Sequence, residues 1–350
     1  MDVDNKKRKK YIEGLRVDFK KGARVEYYPD APDLKKNDVE IEAIFQHYIN
    51  SQEEQFTNYL NYMHAVLCEL KRFGIVSDYT RFMARIKGLD SALTNDSSKP
   101  LNDVFGLEVD TATEGEAIIV NELFSAGLHR TRDVVYNKTN GYIAHHYSGF
   151  PEKNNDGIVE RTKLLFSENR PSSQEMFEEY KKNLLLRDKE KLTPTEEKRV
   201  IRYIKKYKKE LEVFMKNVKR TVKGEKLEEM LENLTKIEED YKKTLGNDDE
   251  IQPIIECQIK TIAVAISANL GSANHGEYKG DLIEQIQKEY EEEGIKEIRN
   301  KLPYRMFRAD LEKDKQGKPK PLKILSAAEM LKALYPSIIL SEKDEMQIER

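Results

Sequence analysis

The sequence predicts an α+β fold in which a mixed β-sheet, flanked by helices, is interrupted by an inserted helical hairpin. Three observations predict this class. Short apolar runs typical of buried strands occur together with segments of helical period. The strand-like runs form two groups, separated by about a hundred residues of different composition. Those intervening residues are highly charged and carry signals for helix starts and stops.

The first helix is predicted from Ile41 onward, where apolar residues recur three and four positions apart as far as Leu70. This pattern indicates one long helix, or two joined, that ends near Gly74. A second element begins around Tyr79 and continues to Leu93. The apolar run Val104–Val109 is typical of a buried strand.

Three further elements complete the predicted sheet domain. A helix follows from about Thr113 to Ala126, and Gly141–Ser148 alternates like a strand after the turn-forming residues 137–140. Residues 251–261 form another predicted strand, and 262–273 a helix.

The inserted segment contains a helix near 173–187 and then a strong helix start at residues 193–196. Thr193 is the N-cap, Pro194 occupies the first helical position, and Glu196 completes a capping box. The helix that begins there extends to Lys223, and Gly224 separates it from a third helix, 226–245. The predicted result is an antiparallel hairpin.

The C-terminal part is predicted to be helical. It has a glutamate-rich helix over 282–298, a Lys/Pro-rich link over 315–323, and a short helix that Ser326 and Glu329 cap. The predicted organisation is a basic N-terminal extension (1–37), a core domain (38–150 and 251–280), a charged helical subdomain (151–250), and a helical, regulatory extension (281–350).

Composition restricts the class of protein. Hydrophobic residues make up 38% and charged residues 35% of the 350 residues, which favours long solvated helices. The 60 basic and 63 acidic residues nearly cancel, so nucleic acid binding would require a local patch. No apolar run reaches the roughly 18 residues of a membrane span. Two distant cysteines, Cys68 and Cys257, exclude a disulfide framework and favour a reducing, cytoplasmic setting.

Known phosphate and metal motifs are missing from the sequence. It has no Gly-rich phosphate loop, no dinucleotide-binding fingerprint and no His-Glu-x-x-His. Two carboxylates remain as candidates: Asp103 at the head of one predicted strand and Glu256 inside another. A charge in a buried strand is unfavourable unless it is paired or binds a metal, and two such groups could hold Mg²⁺. Arg85 and Lys87 could clamp phosphates. Taken alone, however, an Asp at a strand start, such as Asp103, is more often a turn or cap residue.

Five segments carry a family resemblance when they are taken in order. They are Arg85-Ile-Lys87-Gly-Leu-Asp-Ser91, Asp103-Val-Phe-Gly106, Asn140-Gly-Tyr142-Ile-Ala-His-His146, Glu256-Cys-Gln258-Ile-Lys-Thr261, and the segment from Ala268 to Gly280. Together they resemble the RelA/SpoT-type (p)ppGpp synthetase domain, over about residues 40–150 and 251–280.

The resemblance implies a nucleotidyltransferase-like sheet and a GTP pyrophosphokinase activity. Such enzymes use Mg²⁺ to transfer the β,γ-diphosphate of ATP to the ribose 3′-hydroxyl of GDP or GTP. By resemblance, Asp103 would bind Mg²⁺, and Glu256 would be the general base or a second metal contact. Tyr142 would stack on guanine, with His146 and Gln258 on the same acceptor side. Arg85 would lie against the adenine, with Lys87 and Ser91 nearer the phosphates.

Three positions depart from the family pattern, all on the donor side. Glu108 stands where the family has an arginine that stacks on adenine, Asn95 replaces a basic residue, and Lys260 replaces an arginine. Lysine keeps the charge but loses the planar fork of the guanidinium. Each charge-assisted contact to a phosphate contributes roughly 1.5–3 kcal/mol, so the expected consequence is weaker use of ATP.

The insertion suggests a further partner. Residues 198–226 contain twelve bases against three acids, together with Tyr203 and Tyr207. This helix could lie along a phosphate backbone, or it could be the solvated face of a hairpin. Three hypotheses follow: an alarmone synthetase, a toxin-like relative that pyrophosphorylates the 3′ end of tRNA, and a nucleotide-binding relative without catalysis. The resemblance also leaves open a homo-oligomer or an antitoxin-like partner.

Overall fold

A computed structural model describes residues 38–88, 104–137, 143–151, 157–167, 172, 174–175, 194–245, 253–270 and 302–334. The N-terminal extension, the helix predicted near 173–187 (of which only 174 and 175 are described) and the glutamate-rich segment 282–298 therefore lie outside the described residues. So do Ser91, Asn95, Asp103 and Tyr142.

The described chain folds as an α+β protein. Its strands are β1 (Arg81–Ile86), β2 (Phe105–Thr111), β3 (Leu128–Asn137), β4 (Ile143–Pro151), β5 (Ile255–Thr261), β6 (Arg305–Ala309) and β7 (Lys323–Ile324). Its helices are α1 (Asp38–Arg72), α2 (Glu114–Ala126), α3 (Gly157–Phe166), α4 (Pro194–Thr221), α5 (Glu225–Thr244), α6 (Ile262–Leu270) and α7 (Ala327–Leu334).

One open mixed sheet contains all seven strands, in the order β3-β4-β5-β2-β1-β6-β7. Among the strands of the described residues, only the central pair, β2 and β5, is parallel. Every other neighbouring pair is antiparallel. The parallel pair joins segments on either side of the charged insertion, which confirms that the two groups of strand-like runs belong to one sheet.

Most of the predicted elements are present, but four were not anticipated. The long helix α1, the strands β2, β4 and β5, and the helices α2, α4, α5, α6 and α7 match the sequence analysis within a few residues. The unanticipated elements are β3, β6, β7 and α3. Among these, β6 pairs directly with β1, so part of the segment after residue 281 belongs to the sheet.

Two helix caps are present, and the one at Ser326 and Glu329 was predicted. Thr113 Oγ1 accepts a hydrogen bond from the amide of Glu116 at 3.2 Å, at the start of α2. Before α7, Ser326 Oγ accepts from the amide of Glu329 at 3.3 Å, and the Glu329 carboxylate accepts from the amide of Ser326 at 3.1 Å. This reciprocal pair is a capping box, which satisfies two amides that the helix itself leaves unpaired.

The hydrophobic core lies on one side of the sheet. Successive side chains of a strand point to opposite faces, and one face of the central strands carries Phe82, Ala84, Leu107, Val109 and Cys257, all buried. Helix α1 packs there through Phe56, whose ring lies 5.0 Å from that of Phe105 on β2. We call this the apolar face.

The helices α4 and α5 of the insertion pack into the same core. Helix α5 lies against α1, where the rings of Tyr62 and Tyr241 stack with centroids 4.2 Å apart. Helix α4 lies against α2, where Gly115 provides room for Phe214: a Cβ at this glycine would lie 2.4 Å from the ring. Apolar residues of both helices belong to one cluster with those of the sheet.

Candidate functional site

The other side of the sheet is polar, and strand register explains which residues it brings together. Three rows of residues cross the central strands. The first row is Ser148, Glu256, Gly106 and Arg85; the second is His146, Gln258, Glu108 and Met83; the third is Ala144, Lys260, Asp110 and Arg81. Neighbours in a row belong to adjacent strands and lie on the same face. We call this surface the polar face.

Four of the predicted site residues meet on the polar face. Glu256 and Gln258 lie on β5, His146 on β4 and Arg85 on β1. Lys87 follows the end of β1, where its amide donates to the carbonyl of Val104 at 2.9 Å, so β1 and β2 remain paired at this point. Segments that are far apart in the sequence therefore contribute to one surface. Asp103, Ser91 and Tyr142, outside the described residues, stay untested.

Glu256 lies at the centre of this group. Its Oε1 atom is 3.9 Å from Nδ1 of His146, and Gln258 Nε2 lies 3.5 Å from its Oε2. Burial raises the pKa of Glu256, but the imidazole of His146 and the cations Arg85 and Lys87 outweigh it, so the pKa lies below its ordinary value. The carboxylate is therefore ionised at neutral pH.

Arg85 approaches Glu256 across a glycine. Gly106 separates the two residues in their row, and a Cβ built on it would lie 3.4 Å from Cγ and 3.5 Å from Nε of Arg85. The arginine side chain thus lies over the backbone of Gly106. With no side chain between them, its charge acts on the carboxylate, which is consistent with the lowered pKa of Glu256.

A second ionic group occupies the neighbouring part of the polar face. Lys260 Nζ lies 2.9 Å from Oε1 of Glu108, and the side chain of Lys260 is only 7% exposed. Two of the three residues that depart from the family pattern therefore pair with each other. The charge of Glu108 is neutralised within the sheet, and Lys260 has its cation engaged by a carboxylate.

Asp110 adjoins this pair and was missed by the sequence analysis. Burial raises its pKa to about 7, the neighbouring carboxylate of Glu108 adds to the rise, and Lys260 and Arg81 oppose it. Its Oδ1 atom is buried and has no hydrogen-bond partner among the residues that the structure describes. The available signal was the alternation of Gly106, Glu108 and Asp110, which places all three on one face of a strand. Ser148, two residues after His146, could have been found in the same way.

His145 belongs to the apolar face, as its position next to His146 in the strand requires. Its Nδ1 atom lies 3.3 Å from the hydroxyl of Tyr203 on α4, and its ring lies 5.8 Å from that of Tyr207. Burial, and then the charge of His146, lower its pKa to about 4. His145 is thus a packing histidine.

Metal binding can be assessed for one of the two predicted ligands only. Glu256 offers an ionised oxygen donor, which suits Mg²⁺. Among the described residues, no group of three or more His, Cys, Asp or Glu side chains is arranged to hold a metal. Asp103, the other predicted ligand, lies outside that part of the chain.

A separate cavity of about 630 Å³ opens at the other end of the central strands. Its lining includes Ala112 and Ile262, which follow β2 and β5, together with Tyr79, Arg81 and Arg308. None of the four described motif residues on the polar face lines it. The cavity is therefore distinct from the group around Glu256.

Comparisons with protein-family models, with curated proteins and with solved structures found no match for this chain. Within the described residues, no helix combines the length and the apolar character needed to cross a membrane.

Proposed function

We propose that the polar face is the active site of a pyrophosphokinase with a nucleotidyltransferase-like sheet. The enzyme transfers the β,γ-diphosphate of ATP to the 3′-hydroxyl of GDP or GTP. One observation carries this proposal: Arg85, His146, Glu256 and Gln258, from three separate segments of the family resemblance, are side by side on one face. Random matches to short motifs would have no reason to converge.

The arrangement suits the chemistry of such a transfer. Phosphoryl-type reactions depend on in-line positioning and on neutralising charge more than on covalent help from the protein. Arg85 and Lys87 supply positive charge beside the carboxylate of Glu256. Mg²⁺, when bound, would neutralise charge on the transferred phosphates. Gln258 and His146 would orient the acceptor nucleotide at the neighbouring strand.

The lowered pKa of Glu256 refines its role. An efficient general base has a pKa near the working pH, whereas a metal contact must be ionised. Glu256 is therefore better suited to bind the metal and to orient the 3′-hydroxyl than to remove its proton alone.

The tRNA hypothesis receives less support from the placement of the basic helix. Tyr207 of α4 is buried, and Tyr203 contacts His145 on the apolar face. The helix thus covers the side of the sheet opposite to Glu256. A tRNA held on α4 would have to pass round the sheet to bring its 3′ end to the polar face.

The test is an acceptor assay with Mg²⁺ and ATP that is labelled in the γ-phosphate. The protein is offered GDP, GTP or bulk tRNA, with Glu256→Gln as the matched variant because it removes the charge and keeps the shape. Label on GDP or GTP, absent in the variant, is the expected result. Label on tRNA alone would show that the acceptor is tRNA and not a guanine nucleotide. Label on none of the acceptors would refute the proposal.

A further inference from the structure

Helix α4 carries a row of basic side chains along the side that faces solvent. Six exposed residues follow one another at intervals of three, four or seven, which places them on one stripe of the helix. They are Lys198, Arg202, Lys205, Lys209, Lys216 and Arg220. We call these six residues the basic stripe. At 1.5 Å per residue it is roughly 33 Å long.

The opposite side of α4 explains why the basic stripe points outward. Ile204, Leu211, Met215 and Val218 are buried against the rest of the protein. In a helix these positions lie about half a turn away from the basic residues. The core contacts therefore fix which side of the helix is presented to solvent.

The cations of the basic stripe are not neutralised within the described part of the chain. No ion pair joins any of the six to a carboxylate there, whereas basic residues at its border are paired. Lys206 binds Glu114 at 3.0 Å, and Lys208 lies 3.8 Å from Glu212. The gap between Lys209 and Lys216 contains Val213, which is 54% exposed, and Glu212, the partner of Lys208. Within the described ranges, a nearly neutral protein therefore concentrates positive charge without carboxylate partners on one side of this helix.

We propose that the basic stripe is a docking surface for the phosphate backbone of duplex RNA. Lysine and arginine at this spacing match the regular charge of a polyphosphate chain. A duplex fits better than a single strand because Tyr203 and Tyr207, which could stack on unpaired bases, are turned toward the core. RNA is chosen over DNA because proteins recognise duplex RNA mainly through its phosphates and its shape, and a straight row of cations offers contacts of this kind.

This surface is separate from the proposed active site. Helix α4 packs on the apolar side of the sheet, and Glu256 lies on the polar side. The inference therefore does not rest on the proposed function. RNA bound to the stripe would act as a tether or a platform for the protein, and not as the substrate.

The test measures binding of a labelled RNA duplex of about 20 base pairs by fluorescence anisotropy, with no nucleotide present, at several salt concentrations. The variant Lys205→Gln/Lys209→Gln/Lys216→Gln removes three charges from the stripe. The matched control Lys236→Gln/Lys243→Gln/Lys315→Gln removes three exposed charges elsewhere. Circular dichroism and thermal melting verify that both variants are folded.

The stripe variant is expected to bind roughly a hundred-fold more weakly near 0.1 M salt, with the slope of log affinity against log salt reduced by about 3. The control should lose far less. The proposal is overturned if the wild-type chain does not bind the duplex, if both variants lose affinity equally, or if single-stranded RNA or duplex DNA binds as tightly. An intact transfer reaction in the stripe variant would separate this surface from the active site.

Discussion

Lys260 on β5 and Glu108 on β2 form an ion pair of 2.9 Å across the parallel pair of central strands. Both residues depart from the family resemblance, and each appears unfavourable for binding ATP when it is considered alone. As a pair they are consistent: the carboxylate neutralises the lysine. On the proposed donor side, Glu108 therefore does not present an unpaired negative charge.

Replacing Lys260 with methionine should destabilise the protein. The variant leaves the carboxylates of Glu108 and Asp110 side by side without a cation, and breaking a largely buried pair reduces the free energy of unfolding by about 3 kcal/mol. Urea unfolding at pH 8 measures this change. The matched control is Lys206→Met, whose pair with Glu114 is exposed and contributes at most about 1 kcal/mol. Equal losses in the two variants would contradict a structural role for the Lys260 pair.

Asp110 should make the stability of the protein depend on pH between about 4 and 7. Its folded-state pKa of about 7 lies above its ordinary value, so the folded state binds the proton more tightly than the unfolded chain. The associated stability is fully present below the unfolded pKa and is lost as pH rises through the folded pKa. The free energy of unfolding should therefore decrease by a few kcal/mol across this interval.

Asp110→Asn removes the titrating group with little change in shape, so this decrease should become much smaller. The variant should also be more stable than the wild-type protein at pH 8. Urea unfolding at a series of pH values provides both comparisons. A variant with the same pH dependence as the wild type would show that another group is responsible.

Replacing His146 with asparagine should raise the pKa of Glu256. The imidazole is the strongest of the groups that hold this pKa below its usual range, and without it the effect of burial gains weight. Carbon-13 NMR of the labelled glutamate carboxyl groups measures the pKa without relying on activity. If the proposed function holds, the acidic limb of the rate profile should move to higher pH as well.

His145→Phe is the matched control for this measurement, because His145 lies on the apolar face. It should leave the pKa of Glu256 nearly unchanged. An unaltered pKa in the His146 variant would mean that Arg85 and Lys87 hold the carboxylate ionised by themselves.

Gly157→Ala should destabilise the protein by more than about 2 kcal/mol. Gly157 has φ of 70°, and an added Cβ would lie 2.0 Å from Oε1 of Glu238 on α5. That buried carboxylate accepts the amide of Val159 at 3.0 Å at the start of α3, so the clash also disturbs a helix cap. Thermal melting measures the loss.

Gly74→Ala separates backbone strain from this clash. Gly74 has nearly the same φ, 69°, and nothing lies within 4 Å of a Cβ built there. It should reduce stability by about 1 kcal/mol only. If the two alanine variants melt at the same temperature, the contact with Glu238 contributes nothing.

Local signals in the sequence were sufficient for much of the fold. Apolar period predicted α1, and cap residues predicted the starts of α4 and α7, because a helix is determined largely by residues within a few positions of one another. The buried strands β2 and β5 were visible as short apolar runs. Strand β3, which carries His129, Arg130, Arg132 and Asp133, was missed because an edge strand need not be apolar. Strand β6 has only five residues and lacks a clear alternating pattern.

The candidate site was predicted in part, for a related reason. Four site residues were selected because they belong to the short motifs of the family resemblance, and the sheet brings them to one face. They are Arg85, His146, Glu256 and Gln258. The pairing of Glu108 with Lys260 depends on the register between strands from distant parts of the chain, which local periodicity does not specify. For the same reason the unpaired oxygen of Asp110 could not be seen in the sequence.

The parallel pairing of β2 with β5 has a consequence for how the protein is made. Residue Gly106 lies opposite Glu256, so about 150 residues separate two neighbours in the sheet. Contacts between such distant positions close a large loop and slow the search for the native topology. On the ribosome, β1 and β2 emerge long before their partner, and the face around Glu256 cannot assemble until β5 has been synthesised. A nascent or truncated chain would therefore lack this surface.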